Sequence, residues 1–166
     1  MTTPSIDFAT PATGVYTRNL GIGPFVIPGV GAAAAYAAAD QFGILFQIPA
    51  FQRGIIRELR FHDLDNEGID KELILFRRSV TLAADNAAFT LGDVDNLAII
   101  GFFTISTWVV LGSTSQIGHS QNVPAQYDLG DGNTTIWGAF RTKGTDNIAL
   151  GSEPQLSLVI ERMGPR

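Results

Sequence analysis

The chain has 166 residues, which is enough for one domain with a hydrophobic core and too few to predict two. Only 16% of the residues are charged, the net charge is −5, and the basic residues form no run longer than Arg77–Arg78, so we do not expect a nucleic-acid partner. The absence of cysteine excludes disulfides, a thiol nucleophile and Cys-ligated zinc.

The first 30 residues are rich in Thr, Pro and Gly, with single large apolar residues between them. Such a segment buries little of itself, and its spaced aromatics favour an extended arm laid on another surface over a disordered tail. We therefore divide the chain into an N-terminal arm, residues 1–30, and one domain, residues 31–166. The N-terminus lacks the basic and apolar regions of a signal peptide. Pro24 and Pro28 interrupt the low-charge span 19–39, which argues against a membrane helix.

The alanine-rich segment 29–43 has the composition of a helix, yet it has glycine at both ends and no polar face. We predict that its alanines lead, as a strand, into the apolar strand at 44–49. From residue 54 onward the pattern is clearly β, because apolar and polar residues alternate over 55–62 and place Leu59 and Phe61 on one apolar face.

The second half of the chain contains further short strands separated by turn signals. Residues 81–97 predict a long loop with one helical turn, and 99–111 predict two strands or one strand bent at Gly101. Residues 112–122 predict a polar loop. Further strands are predicted at 72–76, 126–128, 134–144 and 155–162. About eight strands without an amphipathic helix predict an all-β fold, an antiparallel β-sandwich or jelly-roll-like domain.

The most charged stretch of the chain partly matches a calcium-binding loop. Asp63, Asp65 and Gly68 fall on positions 1, 3 and 6 of the loop and Glu67 on position 5, but Ile74 stands where a bidentate Glu is required. Both flanks read as strand. We therefore predict a hairpin connection, with a weak cation site at Asp63, Asp65 and Glu67 as the alternative. We expect no other metal site and no cofactor.

Support for catalysis is sparse. His62 and His119 are the only histidines, and the chain has no G-x-S-x-G motif to present a serine. Paired carboxylates such as Asp63 with Asp65 are better explained as turn residues. We predict that the protein is not an enzyme; the alternative is a hydrolase built on His119 or on these carboxylates.

Trp108 and Trp137 each lie in a predicted strand, where packing in the core is the expected role. The alternatives are a platform for stacking sugar rings or an anchor at an interface. The apolar residues predicted to meet a partner are Ile6, Phe8, Tyr16, Leu20, Phe25, Val26, Ile27, Trp108 and Trp137.

Five segments carry a resemblance to a known family: YAAADQFG at 36–43, IRELRFHDLDNEG at 56–68, ELILF at 72–76, TLAADNAAFTLGDVD at 81–95 and TTIWGA at 134–139. In order and pattern they resemble the decoration, or cement, proteins of tailed bacteriophages. The resemblance implies a jelly-roll-like domain, often a homotrimer, that clamps capsomers from outside and extends an arm to a neighbour.

The expected function is therefore that of a non-enzymatic virion structural protein that binds and stabilises the outer capsid shell. Its partner would be the major capsid protein, without nucleic acid or membrane, and it would be made in the host cytoplasm and lie on the capsid exterior. The alternative is a glycan-binding or tail-associated β-sandwich module that uses a tryptophan with the loops at 113–126. A tail-tube or head-completion protein would show the same pattern.

Overall fold

The computed structural model describes residues 19–31, 35–120, 123–130, 132–149 and 153–164. The regular secondary structure of the described residues is almost entirely β-strand, with one short helix. Its elements are β1 (Asn19–Val26), β2 (Ala35–Tyr36), β3 (Gln41–Pro49), β4 (Arg53–Asp63), β5 (Lys71–Phe76), α1 (Asp93–Asn96), β6 (Ile99–Val110), β7 (Gln116–Ser120), β8 (Ala125–Asp128), β9 (Thr135–Thr142), β10 (Asp146–Asn147) and β11 (Gln155–Arg162).

One large antiparallel sheet contains most of these strands, in the order β1-β11-β4-β7-β6-β5-β9-β3. Strand β8 pairs with the first half of β4, on the side where β7 pairs with its second half. Strands β2 and β10 form a separate two-stranded sheet. The prediction of an all-β antiparallel fold is confirmed.

The large sheet curls until its two edges meet. The rings of Phe25 on β1 and Phe46 on β3 lie 5.8 Å apart, and the amide of Ile44 donates to the carbonyl of Pro28 at 2.9 Å. This curling makes the molecule nearly barrel-shaped, so the inner faces of opposite strands pack against each other as in a sandwich.

The inner face of the curled sheet holds the main core. Phe140 on β9 is fully buried and packs against the rings of Phe42, Phe46 and Phe61, with centroids 6.5, 5.9 and 5.5 Å away. These rings come from strands β3, β4 and β9, so the main core joins strands that are distant in the sheet order.

A second, smaller core lies on the outer face of β5 and β9. Successive residues of a strand point to opposite faces, so Ile74 and Ala139 lie opposite Leu73 and Phe140. The segment 80–91 covers this outer face with Val80, Leu82, Phe89 and Leu91. Every residue of β5 is buried for this reason, which explains the unbroken apolar run in its sequence.

The N-terminal arm differs from its prediction. Residues 19–26 are β1, an edge strand of the large sheet paired with β11, and Leu20, Ile22 and Phe25 pack against the main core. Glycine and proline obscured the strand pattern, and they coincide with the interruption of its register between Ile22 and Phe25. Residues 1–18 of the predicted arm lie outside the described residues.

The structure also corrects the prediction for residues 112–122 and decides between one strand and two for residues 99–111. Residues 116–120 form strand β7 where a polar loop was predicted, because Gln116 and Ser120 are buried polar residues that carry no apolar signal. Residues 99–110 form one strand, with an irregular register beside Gly101, and the helical turn predicted within 81–97 is α1. None of the helices in the described part of the chain is long and apolar enough to cross a membrane.

The alanine-rich segment 29–43 contains no helix in its described part. Residues 35–36 form β2, a turn follows at Ala39 with a φ of 70°, and β3 begins at Gln41. Residues 32–34 lie outside the description. The prediction that the alanines form a strand therefore holds only at Ala35; residues 37–39 lie outside any strand, with a turn at 38–39, and the apolar strand begins at Gln41 instead of residue 44.

Candidate functional site

The charged turn after β4 is organised by Asp63. Its carboxylate, 5% exposed, accepts from the amides of Asp65 and Gly68 and from the side-chain amide of Gln116, each at 2.9 Å. Gly68 has a φ of 65°, a conformation that glycine adopts without strain. The predicted turn is therefore present, but it is not a hairpin, because β7 and β6 lie between β4 and β5 in the sheet.

The same bonds occupy the oxygens that a cation would need. Asp65 accepts from the amide of Ala149 at 2.6 Å, and Glu67 points into solvent. In the described residues no three His, Asp or Glu side chains are grouped so that they could hold a metal ion. Asp63 and Asp65 act here as hydrogen-bond acceptors for backbone amides.

A shallow cleft of about 240 Å³ between β1, β11 and β4 contains a histidine next to a serine. The Nε2 atom of His62 lies 3.0 Å from the hydroxyl of Ser157. A hydrolase would also require a carboxylate on the other ring nitrogen and donors for an oxyanion. Glu58, a carboxylate in the same cleft, is paired with Arg60 instead. The pair therefore lacks the carboxylate partner of a catalytic triad.

Burial is the largest of the effects that lower the pKa of His62, and the positive charges of Arg60 and His119 lower it further. A histidine with a lowered pKa in the folded state stabilises the fold above its unfolded pKa of about 6.5 and loses this contribution as the pH falls. Relative to His62→Gln, which does not titrate, the wild type should lose free energy of unfolding below about pH 6.5. Urea unfolding at several pH values measures this difference. Ser157→Ala retains the ring and should retain the dependence; a pH-independent difference would contradict the prediction.

The second histidine and the tryptophans have structural surroundings. His119 lies within β7, opposite Arg60 and Thr107, and not in a loop. Trp108 packs edge-on against Phe61 at 6.0 Å, and its Nε1 donates to Asp70 at 3.2 Å. Trp137 is half-buried against the second core.

The apolar residues predicted to meet a partner are dispersed. Leu20 and Phe25 are partly buried against the main core, Ile27 is fully buried, and Val26 is 49% exposed beside the closing edge of the sheet. Ile6, Phe8 and Tyr16 lie outside the described residues.

A buried ion pair, which the sequence did not indicate, lies between β5 and β10. Lys71 Nζ is 2.6 Å from Asp146 Oδ2, and the two side chains are only 2% and 1% exposed. The same ammonium donates to the carbonyl of Ile69 at 3.0 Å. It lies 5.1 Å from the ring centroids of both Phe42 and Phe61.

This setting is unfavourable for two full charges. Burial raises the pKa of Asp146; Lys71 acts in the opposite direction, and the negative fields of Asp63 and Asp65 raise the pKa further. Removing both ions from water costs several kcal/mol per ion, by general estimates, before their attraction is counted. The aromatic rings favour the ammonium through cation–π contacts, which limits this cost. The pair therefore combines close contact with poor solvation.

Two exposed apolar groups lie at opposite ends of β6. The hairpin tip consists of Val109 and Val110, the last two residues of the strand, and Leu111 after it, and these three side chains are 47%, 62% and 61% exposed. The helical-turn patch, Val94 and Leu97, precedes the strand and is 70% and 80% exposed. At about 3.3 Å per residue, the part of the strand from Ile99 to Val109 separates them by at most roughly 33 Å.

No protein-family model matches the chain, and no curated protein matches it.

Proposed function

We propose that this chain is a decoration protein, a non-enzymatic virion component that binds the outer surface of a bacteriophage capsid and stabilises the shell. The observation that carries the proposal is the pair of exposed apolar groups at the two ends of β6. Interface cores are depleted of charge and enriched in large apolar residues. The hairpin tip has this character, and the helical-turn patch adds two strongly exposed apolar side chains beside Asp93 and Asp95, on a chain with only 16% charged residues.

Their separation suits a protein that bridges neighbouring subunits. Two contacts roughly 30 Å apart can engage two capsid proteins at once, and the second contact then forms at the high effective concentration set by the first. Each exposed Val or Leu that is removed from water contributes about 1.5–3 kcal/mol. Many copies of the protein, each making weak contacts, would together stabilise a shell considerably.

The remaining features of the proposal follow from the resemblance to decoration proteins. Residues 1–18, which include Ile6, Phe8 and Tyr16, would extend as an arm over a neighbouring subunit, and the protein would form a homotrimer. Light scattering of the full chain tests the trimer, with an expected mass three times the 17.8 kDa of one chain. A monomeric mass would favour a single binding module, such as the glycan-binding alternative.

Charge placed on the hairpin tip should weaken binding to the shell. We expect the double variant Val110→Lys with Leu111→Lys to bind at least about tenfold more weakly, because burial of two ammonium groups replaces burial of two apolar side chains. Co-sedimentation with capsids purified from the virus that encodes the chain measures the loss.

The hairpin tip offers a matched control. Ser113 and Thr114 are exposed at the same turn, so the double variant Ser113→Lys with Thr114→Lys adds the same charge without removing apolar surface. This control should bind as the wild type does. Equal weakening in both double variants would mean that charge alone, and not apolar contact, governs binding, which contradicts the proposed interface.

A further inference from the structure

The buried pair of Lys71 and Asp146 has the geometry of a reaction between its two side chains. Lys71 Nζ lies 2.6 Å from Asp146 Oδ2, so the carboxyl carbon is one covalent bond beyond an atom already in contact. Reacting groups held this close reach effective concentrations of about 10⁵–10⁸ M. Both side chains are almost completely shielded from solvent, so little water competes for the site.

We propose that Lys71 and Asp146 condense into an intramolecular amide that covalently joins β5 to β10. The ammonium first transfers one proton to the carboxylate, which produces a neutral amine and a neutral carboxylic acid. The lone pair of Nζ then forms a bond to the carboxyl carbon, a proton moves from nitrogen to the departing oxygen, and the C–O bond breaks. One molecule of water leaves, and no oxidant, reductant or other reactant is needed.

The surroundings favour each step. Transfer of a proton within the pair removes two poorly solvated charges, and the negative fields of Asp63 and Asp65 assist by favouring the protonated acid. After that transfer the amine can keep its hydrogen bond to the carbonyl of Ile69, which orients its lone pair away from that bond. The rings of Phe42 and Phe61 exclude water from the amine. The product is a neutral amide, which is far less costly to bury than the ion pair.

The bond would join the two sheets of the fold. Strand β5 lies inside the large sheet, whereas β10 belongs to the separate two-stranded sheet, so the amide would fasten the small sheet to the large one. This inference does not depend on the proposed binding to capsids.

Peptide mapping of the purified full chain, denatured directly from its folded state and digested with trypsin, tests the proposal. Trypsin does not cleave after an acylated lysine, so the amide would join residues 61–77 to residues 144–162 in one species, lighter than the sum of its parts by one water. Lys71→Arg and Asp146→Ala should each lack this species. Lys71→Arg retains the positive charge, so it distinguishes loss of the bond from loss of the ion pair.

Each result of the peptide mapping either supports or overturns the amide. The joined species, at any yield in the wild type and absent from both variants, supports the amide. Recovery of 61–71 and 144–162 only as separate peptides overturns it and leaves an ion pair. Water loss confined to the peptide that contains Asp131 and Gly132, a sequence that can cyclise to an imide, would also overturn it, because no second chain segment is then attached.

Discussion

Replacing Phe140 by Ala is expected to lower the free energy of unfolding by about 3–5 kcal/mol, the usual loss for a fully buried phenylalanine. The ring is 0% exposed and contacts the rings of Phe42, Phe46 and Phe61. Because β9 pairs with both β3 and β5, its backbone cannot move inward at one side without disturbing the other. The cavity should therefore persist, and its cost adds to the lost burial.

Urea unfolding, followed by the fluorescence of Trp108 and Trp137, gives the free energy and the m-value together. Phe102→Ala is the matched control, because Phe102 lies on β6 in the same sheet but is 47% exposed. We expect that control to lose about 1 kcal/mol or less. Similar losses in the two variants would mean that the barrel interior collapses around the missing ring.

Local pattern was sufficient to predict the strands with strong alternation or strong apolar character. The apolar face of Leu59 and Phe61 and the apolar run of β5 are both present in the fold. Strands β1 and β7 were not predicted, because Gly and Pro in β1 and polar residues in β7 hide the periodicity that burial normally produces. Pairing with neighbours, and not local propensity, holds these strands in the sheet.

The candidate sites depended on information that is absent from local spacing. Asp63 and Gly68 were correctly placed in a turn, since Asx and Gly preferences are local. Lys71 and Asp146 are brought together only because β9 pairs with β5 and β10 folds back after β9. The sequence of a single chain does not reveal which residues of distant strands pair with each other. The strand was predicted to begin at residue 72, after Lys71, so nothing in the local pattern indicated a buried ammonium.

Asp85, an acidic residue that no local sequence pattern singles out, organises the region around the start of β3. Asp85 lies in the segment predicted as a loop, and its carboxylate accepts from the amide of Gly43 at 2.7 Å, the hydroxyl of Tyr36 at 2.9 Å and the amide of Gly31 at 3.1 Å. It therefore fastens three points of the span 31–43 to the covering segment. Burial raises the pKa of Tyr36 above its ordinary value, so this phenol remains a donor.

Gly43 makes this arrangement possible. Its φ of 75° turns its amide toward Asp85, and a Cβ at this position would lie 2.6 Å from the carbonyl of Pro28. The edge of β3 can thus approach the chain that follows β1 while its amide is satisfied by a carboxylate. The closing edge of the barrel and the covering segment meet at this glycine.

Asp85→Ala is expected to lower the free energy of unfolding by about 3 kcal/mol or more. The change leaves the amide of Gly43 and the buried hydroxyl of Tyr36 without their acceptor, and each unsatisfied buried group costs about 1–3 kcal/mol. The amide of Gly31 keeps the hydroxyl oxygen of Tyr36 as an acceptor at 3.0 Å but loses its second one. Asp85→Asn retains one carboxamide oxygen as an acceptor, so its loss should be intermediate. Urea unfolding of both variants against the wild type gives the comparison.

Asp93→Ala is the control, because Asp93 is an exposed aspartate in α1 and its removal deletes the same charge from the surface. We expect that variant to stay within about 0.5 kcal/mol of the wild type, the usual range for surface substitutions. If Asp85→Ala matched Asp93→Ala, water would have to replace the carboxylate at all three donors. The span 31–43 would then be held to the barrel by packing of Tyr36 and Phe42 and by its backbone hydrogen bonds, such as that from Ala39 to Thr142, and closure of the sheet would not depend on the polar contact at Gly43.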